Sequence, residues 1–329
     1  MSELRMSIVS IAAKLASLTK PKWKLASVKR VHAIVGTILY YTVLLSLSFV
    51  FLFPLLYMVS KSMMRLQDVA DATVRWVPKR LYFNNYVEAF KAIHYWKGFT
   101  NSVINSFGSA ILQIVSCSFI GYGFARYRFP GYVLWVALLV FTFLVPPQTI
   151  VVPLFMFFSS LGWINTHYPF IFPAMFGHGL KGALFVLIFI QFYRRLPHVF
   201  EEAARIDGAG PFRTYWQIMF PLAKPAMLVV FLFSAVWHWN DMFEPNTFLL
   251  VPDYFNLSQQ MAIFFGNSNM NVAQAAQQVS ASDAIGLAPT LLNQIMAAVL
   301  LSVLPIVILY LFTQKYFTES VERSGIAGE

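Results

Sequence analysis

Very little in this chain can perform chemistry. Cys117 is the only cysteine and lies in an apolar run; it forms no intrachain disulfide and carries no information about redox compartment. The six histidines show no metal-ligand spacing, and no GxxxxGK[ST] phosphate loop is present, so any ATP the chain depends on is hydrolysed by another chain. Charge is scarce as well. Only 12% of residues are Asp, Glu, Lys or Arg, against about a quarter in a soluble domain. The net charge of +10 and pI near 9.6 would suit nucleic acid only if basic residues formed a stripe with exposed aromatics on a soluble domain. No such stripe exists, and nucleic acid is excluded as a partner.

Hydrophobicity fills the remainder: 58% of the 329 residues are hydrophobic, with 33 Phe, 15 Tyr and 8 Trp and a mean hydropathy of +0.62. Apolar runs of roughly 20 residues, long enough to cross a bilayer as helices, recur along the chain. The reading is an all-α integral membrane protein with six transmembrane helices, at about Ala33–Val59, Thr100–Ala125, Tyr132–Phe157, Pro169–Tyr193, Pro225–Phe248 and Leu291–Phe312. Pro169, Pro173, Gly177, Gly179 and Gly182 crowd the start of the fourth span. Broken helix at membrane depth is tolerated where it packs in protein or lines water, so this region is a candidate cavity wall.

The basic residues lie between the spans, as in membrane proteins generally. Sixteen Lys and Arg fall on one side, in the N-terminal tail, at Arg126 and Arg128, in the Arg194–Lys224 connector and in the C-terminal tail. The loops Phe158–Tyr168 and Leu249–Thr290 contain none, while Ser60–Phe99 carries 7 against the trend. The majority puts both termini and the connector in the cytoplasm. Residues 1–31 fit either an amphipathic helix on the membrane, with Ile8, Ile11, Ala12, Leu15 and Leu18 on one face, or a disordered basic tail. Lys14 interrupts the apolar stretch, which argues against a cleaved signal peptide. The outer segment Leu249–Thr290, with Gln259, Gln260, Gln274, Gln277, Gln278, Asp253 and Asp283, fits a solvated loop or a surface for an extracytoplasmic partner.

The connector is the most informative stretch. Pro197 suits a first helical turn, and Glu201 and Glu202 suit the positive end of the dipole. Val199, Phe200, Ala203 and Ile206 share one side at helical spacing. Gly208 ends the turn, and Pro211 starts a second helix whose apolar face is Phe212, Tyr215, Ile218 and Met219. A knob docking a partner and a hairpin resting on headgroups fit this pattern equally.

The order Glu202-Ala203-Ala204, three residues, Gly208, nine residues, Ile218, one residue and Phe220-Pro221 resembles the EAA loop of ATP-binding-cassette importer permeases, with Phe220 where the family usually has Leu. Weaker blocks resemble the second membrane subunit of maltose-type systems: Trp76-Val77-Pro78, Asn85-Tyr86-Val87-Glu88-Ala89-Phe90, Phe99-Thr100-Asn101-Ser102, Gly121 to Phe129, Pro146-Pro147-Gln148, Pro153-Leu154-Phe155, Leu161-Gly162 and Trp239-Asn240-Asp241. The C-terminus Ser324–Glu329 only loosely resembles the tail of that branch.

This resemblance implies a type I importer permease fold with a cytoplasmic coupling helix. It divides the chain into a cytoplasmic basic segment (1–32), a six-span permease domain (33–317, coupling loop about 194–224) and a cytoplasmic tail (318–329). It implies a permease subunit of an ATP-driven sugar or oligosaccharide importer in the bacterial cytoplasmic membrane, paired with a second permease. Two ATPase subunits would bind ATP and Mg, and an extracytoplasmic sugar-binding protein would deliver substrate. No cofactor, metal or catalytic residue is expected in this chain. The implied ATPase-coupling set is Glu201, Glu202, Ala203, Ala204, Asp207 and Gly208. The residues themselves suggest a substrate pathway through Gln148, Lys181, Trp237 and Asn240, since sugar sites combine aromatic faces with polar groups; helix packing and, for Lys181, snorkelling compete with it. The rivals are an ion-coupled secondary transporter, which needs acidic residues at mid-span, and a membrane-embedded enzyme, which needs a convergent His, Asp or Glu set.

Overall fold

The computed structural model describes residues 22–71, 73–266 and 292–326, with side chains from residue 34 to 315 apart from Ala70. The possible amphipathic helix at the N-terminus, Gln274, Gln277, Gln278 and Asp283 lie outside the described residues, as do the side chains of 324–326 and all of 327–329. Among the described residues the regular structure is helical. The chain divides into two compact units, Met1–Met58 and Val59–Glu329. The first contains most of helix α1 (Lys22–Ser62), whose side chains from Ile34 onward are largely exposed.

In the second unit, α2 (Leu66–Ala70) and α3 (Asn84–Ala92) precede the long α4 (Tyr95–Arg126). Then come α5 (Tyr132–Leu144), α6 (Pro147–Ser160), α7 (Tyr168–Met175), α8 (Gly182–Arg195) and α9 (Val199–Ile206). After these follow α10 (Pro211–Leu222), α11 (Lys224–Asn240), α12 (Phe243–Phe248), a helical segment α13 at 257–266, and α14 (Leu292–Ile326).

Among the described residues three helices are long and apolar enough to cross a membrane unbroken: Ile34–Ser62 within α1, α4, and Leu292–Lys315 within α14. Bent helix pairs raise the number to as many as six. The third span is not the straight helix that a Tyr132–Phe157 run suggests. α5 and α6 meet at 97°, because Pro146 and Pro147 interrupt the backbone ladder. The fifth span stops at Asn240 rather than Phe248. Asp241 ends it and accepts backbone N–H bonds from Phe243 (3.0 Å) and Glu244 (3.2 Å), which ties down the first turn of α12 from the residue before its N-cap, Met242.

Helix α4 is the central strut, packed on α7, α8 and α11. Its contact with α8 depends on Gly121: a Cβ there would sit 2.5 Å from the Phe189 Cβ. Phe185, Phe189, Tyr193, Tyr215 and Met219 fill the core around that crossing. A second cluster of Ala89, Ile93, Trp239, Leu257, Ala297 and Ala298 joins α3, α11, α13 and α14.

α4 also buries polar side chains, several of them bonded to the 253–257 segment. Asn101 donates to the Asp253 and Phe255 carbonyls (3.0 and 3.1 Å), Ser102 accepts the Leu257 N–H (2.8 Å), and Asn105 donates to Asn256 (2.8 Å). These bonds hold the start of the Gln-rich segment after Leu249 against the helix bundle. Gln259 and Gln260 are consequently buried, so this part of the segment is not the solvated loop that its composition suggests. The basic 60–99 segment is folded too: Asn85 donates to the Ser62 and Met64 carbonyls at 2.8 Å and accepts from Asn293 at 2.9 Å.

Candidate functional site

The connector between α8 and α11 folds as a hairpin. α8 ends at Arg195, the chain turns by 75°, and α9 begins at Val199 behind His198. Pro197 therefore precedes the helix instead of occupying its first turn. Glu201 and Glu202 lie in that first turn, where carboxylates offset the exposed N–H groups. Gly208, at φ +75°, reverses the chain. Its N–H donates to the Arg205 carbonyl (3.0 Å) and the next N–H, of Ala209, to that of Ala204 (2.8 Å), closing the helix end.

α10 opens at Pro211 and contains a π-type turn at Tyr215–Met219. Tyr215 and Met219 are buried together within that turn, whereas Phe212, which precedes it, is exposed and does not share the inner apolar face expected of it.

The two faces of α9 have opposite destinations. Val199 is 65% exposed and Ile206 86%, with Phe200, Ala203, Glu202 and Asp207 on the same exposed surface. Glu201 (7% exposed) and Ala204 (2%) turn inward. The six residues expected to couple to an ATPase thus separate: Glu202, Ala203, Asp207 and Gly208 are exposed, while Glu201 and Ala204 anchor the hairpin to its own chain. The Glu201 carboxylate lies 3.3 Å from the Arg126 Nε at the end of α4. Nothing local in the sequence announced this pairing, because 75 positions separate the two residues.

The substrate-pathway residues also separate. Gln148 and Lys181 line one cavity of about 330 Å³ with Asp241 and Glu244. An adjoining cavity of about 300 Å³ shares Lys181 and Glu244 and is walled by His178, Gly179, Leu180 and Gly182. The Gly- and Pro-rich stretch of the fourth span is thus broken helix along a cavity, as expected. Gly177, Gly179 and Lys181 all have positive φ there. Gln113, fully buried on α4, holds this irregular backbone. Its amide donates to the His178 and Leu180 carbonyls (3.1 and 3.2 Å), and its carbonyl accepts from Ser234 (2.6 Å).

Trp237 and Asn240 are not among the residues lining these cavities. Trp237 stacks with Phe185 and Phe233, at centroid distances of 5.7 and 5.4 Å, and Asn240 donates to the Val236 carbonyl of its own helix at 2.9 Å. Glu244 was missed by sequence reasoning. Its signal was an acid three residues after Asp241 at the end of an apolar run. Among the described residues no group of His, Cys, Asp and Glu is arranged to hold a metal.

A helical bundle with bent spans, an outward-facing hairpin helix and a cavity along broken backbone is an architecture suited to a membrane transport subunit. The family model described as the binding-protein-dependent transport system inner membrane component matches residues 117–323, and the chain belongs to that family. It is thus an inner-membrane component of a transport system, in a family of permeases that are not enzymes.

Among its relatives are a melibiose/raffinose/stachyose import permease protein, MelC, of Bacillus subtilis (31% identical, covering 80% of this chain and 88% of the relative) and a diacetylchitobiose uptake system permease protein, NgcG, of Streptomyces coelicolor (30%, 84% of each). An arabinooligosaccharides transport system permease protein, AraQ, of Halalkalibacterium halodurans is 27% identical, covering 86% of this chain and 93% of that protein. A solved bacterial ABC transporter involved in the import of the acidic polysaccharide alginate has the same fold, with a TM-score of 0.68 at 20% identity over 86% of this chain and 96% of that one.

Proposed function

We propose that this subunit forms half of the translocation pathway of a bacterial ATP-driven importer for an oligosaccharide, and that α9 is the element through which the ATPase drives it. The observation that carries the reading is the outward face of α9. A short helix exposing Val199, Phe200 and Ile206 beside Glu202, while its inner face is pinned to its own chain, is built to seat in another protein. The oligosaccharide class rests on the printed activities of MelC, AraQ and NgcG. ATP and Mg are bound by two partner ATPase subunits, a second permease completes the pathway, and an extracytoplasmic binding protein delivers the sugar. Both termini and α9 lie on the cytoplasmic side, in keeping with the distribution of Lys and Arg.

In this mechanism the ATPases move α9 as a rigid body, and the bundle rocks between inward- and outward-facing states. Glu202 supplies the charged contact, Ala203 permits close approach, and Gly208 sets the angle between α9 and α10. The cavity along Gln148, Lys181, Asp241 and Glu244 offers amide, amino and carboxyl groups to sugar hydroxyls. Co-purification tests the docking step. Glu202→Lys is expected to remove the ATPase subunit from the detergent-solubilised complex while the permease stays in the membrane. Retention of the ATPase together with normal transport contradicts the docking role.

A further inference from the structure

We infer that Arg126 is a positioning residue that locks the coupling hairpin to the central helix α4, so that motion of α9 is delivered to the bundle through one buried guanidinium. The inference rests on the docking reading of α9 and adds the joint behind it.

The geometry gives Arg126 three separate holds on the elbow between α8 and α9. Its Nη2 donates to the Leu196 carbonyl at 2.7 Å, where α8 has just ended. Its Nη1 lies 3.3 Å from the His198 ring, at the residue preceding α9. Its Nε faces the Glu201 carboxylate at 3.3 Å, inside the first turn of α9. One planar, permanently charged group thereby spans the bend. A lysine has a single nitrogen in place of this fork.

The pair is shielded, with side chains only 3% and 9% exposed for Arg126 and Glu201. Neither the Nε nor the Oε1 atom has an aligned hydrogen bond, so each depends on the other for charge compensation. His198 reaches the other carboxylate oxygen at 3.4 Å from an exposed position. The outer side of α9 contributes nothing to holding the helix, because its apolar residues face away. Among the described residues this is the ion pair that links α9 to the bundle. From Arg126 the strut continues along α4 to Asn101, Ser102 and Asn105, which grip the 253–257 segment at the far end.

A pair needed only for folding and a pair needed for transmission respond differently to substitution. Removing one partner strands a buried charge, whereas removing both relieves it. The complete reconstituted transporter, carrying Arg126→Gln, Glu201→Gln or both, separates the two roles through its melting temperature and the sugar moved per ATP hydrolysed. Each single variant is expected to keep the ATPase subunit, melt lower and transport about tenfold less per ATP. The double variant is expected to regain most of the melting temperature and none of the coupling. Arg126→Lys, which keeps charge without the fork, falls between the natural chain and Arg126→Gln in coupling, and serves alone if the neutral variants fail to assemble. Normal coupling in the single variants or in Arg126→Lys overturns the inference, as does recovery of coupling together with melting in the double variant. If the unsubstituted chain captures no ATPase, the docking reading itself fails instead.

Discussion

Gln113 shows how much a single side chain does in this protein. It is fully buried and uses both ends of its amide, giving hydrogen bonds to two carbonyls of the broken fourth span and taking one from Ser234 on α11. Gln113→Leu keeps the bulk and strands those partners, at a cost of about 1–3 kcal/mol for each buried polar group left unmade. Thermal unfolding in detergent is expected to drop well below that of the natural chain. Glycines separate by surroundings in the same way. A Cβ on Gly182 would collide with the Gly177 carbonyl oxygen, so Gly182→Ala is expected to cost about 1–3 kcal/mol through overpacking. Gly208 has open space around it but holds φ +75°, and Gly208→Ala is expected to cost about 1 kcal/mol from backbone strain alone. Unfolding measured on the two variants side by side checks the order.

At the scale of elements, α9 presents two faces that substitution should distinguish. Ile206→Asp changes a side chain that is 86% exposed; the permease is expected to melt normally and lose about tenfold or more in affinity for the ATPase subunit, as removal of an apolar anchor does. Ala204→Asp places a carboxylate in a closed position and is expected to lower the permease's own melting temperature. Pull-down of the ATPase combined with melting curves reads both effects. The sequence revealed α9 itself well. Its two glutamates, the terminal Gly208 and the side shared by Val199, Phe200, Ala203 and Ile206 are all local signals, and the structure has a helix at Val199–Ile206 with Gly208 at positive φ. What stayed hidden was non-local or depended on depth. Periodicity alone does not say that the apolar side of α9 faces away from its own chain. Arg126 and Glu201 meet only through the packing of α4 on α8. The π-type turn at Tyr215–Met219 shifts register by a residue, so that Met219 is buried with Tyr215 while Ile218 is only partly buried.

At the scale of the whole molecule, hydropathy revealed the all-helical membrane architecture and the candidate spans, yet it concealed how they are broken. The Pro146-Pro147 pair sits within an apolar run, and mean hydropathy is blind to the 97° bend there. The same irregularity opens the cavity lined by Gln148 and Lys181, so the feature hardest to read from composition lies beside the proposed sugar path. Trp237 and Asn240 looked equivalent to those two as aromatic and amide candidates; α11 places one within an aromatic stack and caps the other on its own backbone. Lys181→Met is expected to reduce sugar transport while leaving ATPase capture intact, because Lys181 lines the cavity and the proposed docking surface lies on α9. Uptake and pull-down on one membrane preparation check the separation. Capture of the motor by α9 is the measurement on which the most depends. Single cysteines at Ala203, Ile206 and Ala204, in a chain whose natural Cys117 is buried, are treated with a short crosslinker in the assembled transporter at each nucleotide state. Docking predicts ATPase adducts from Ala203→Cys and Ile206→Cys and none from Ala204→Cys; adducts with lipid alone, or no adduct at the outward positions in any nucleotide state, contradict it.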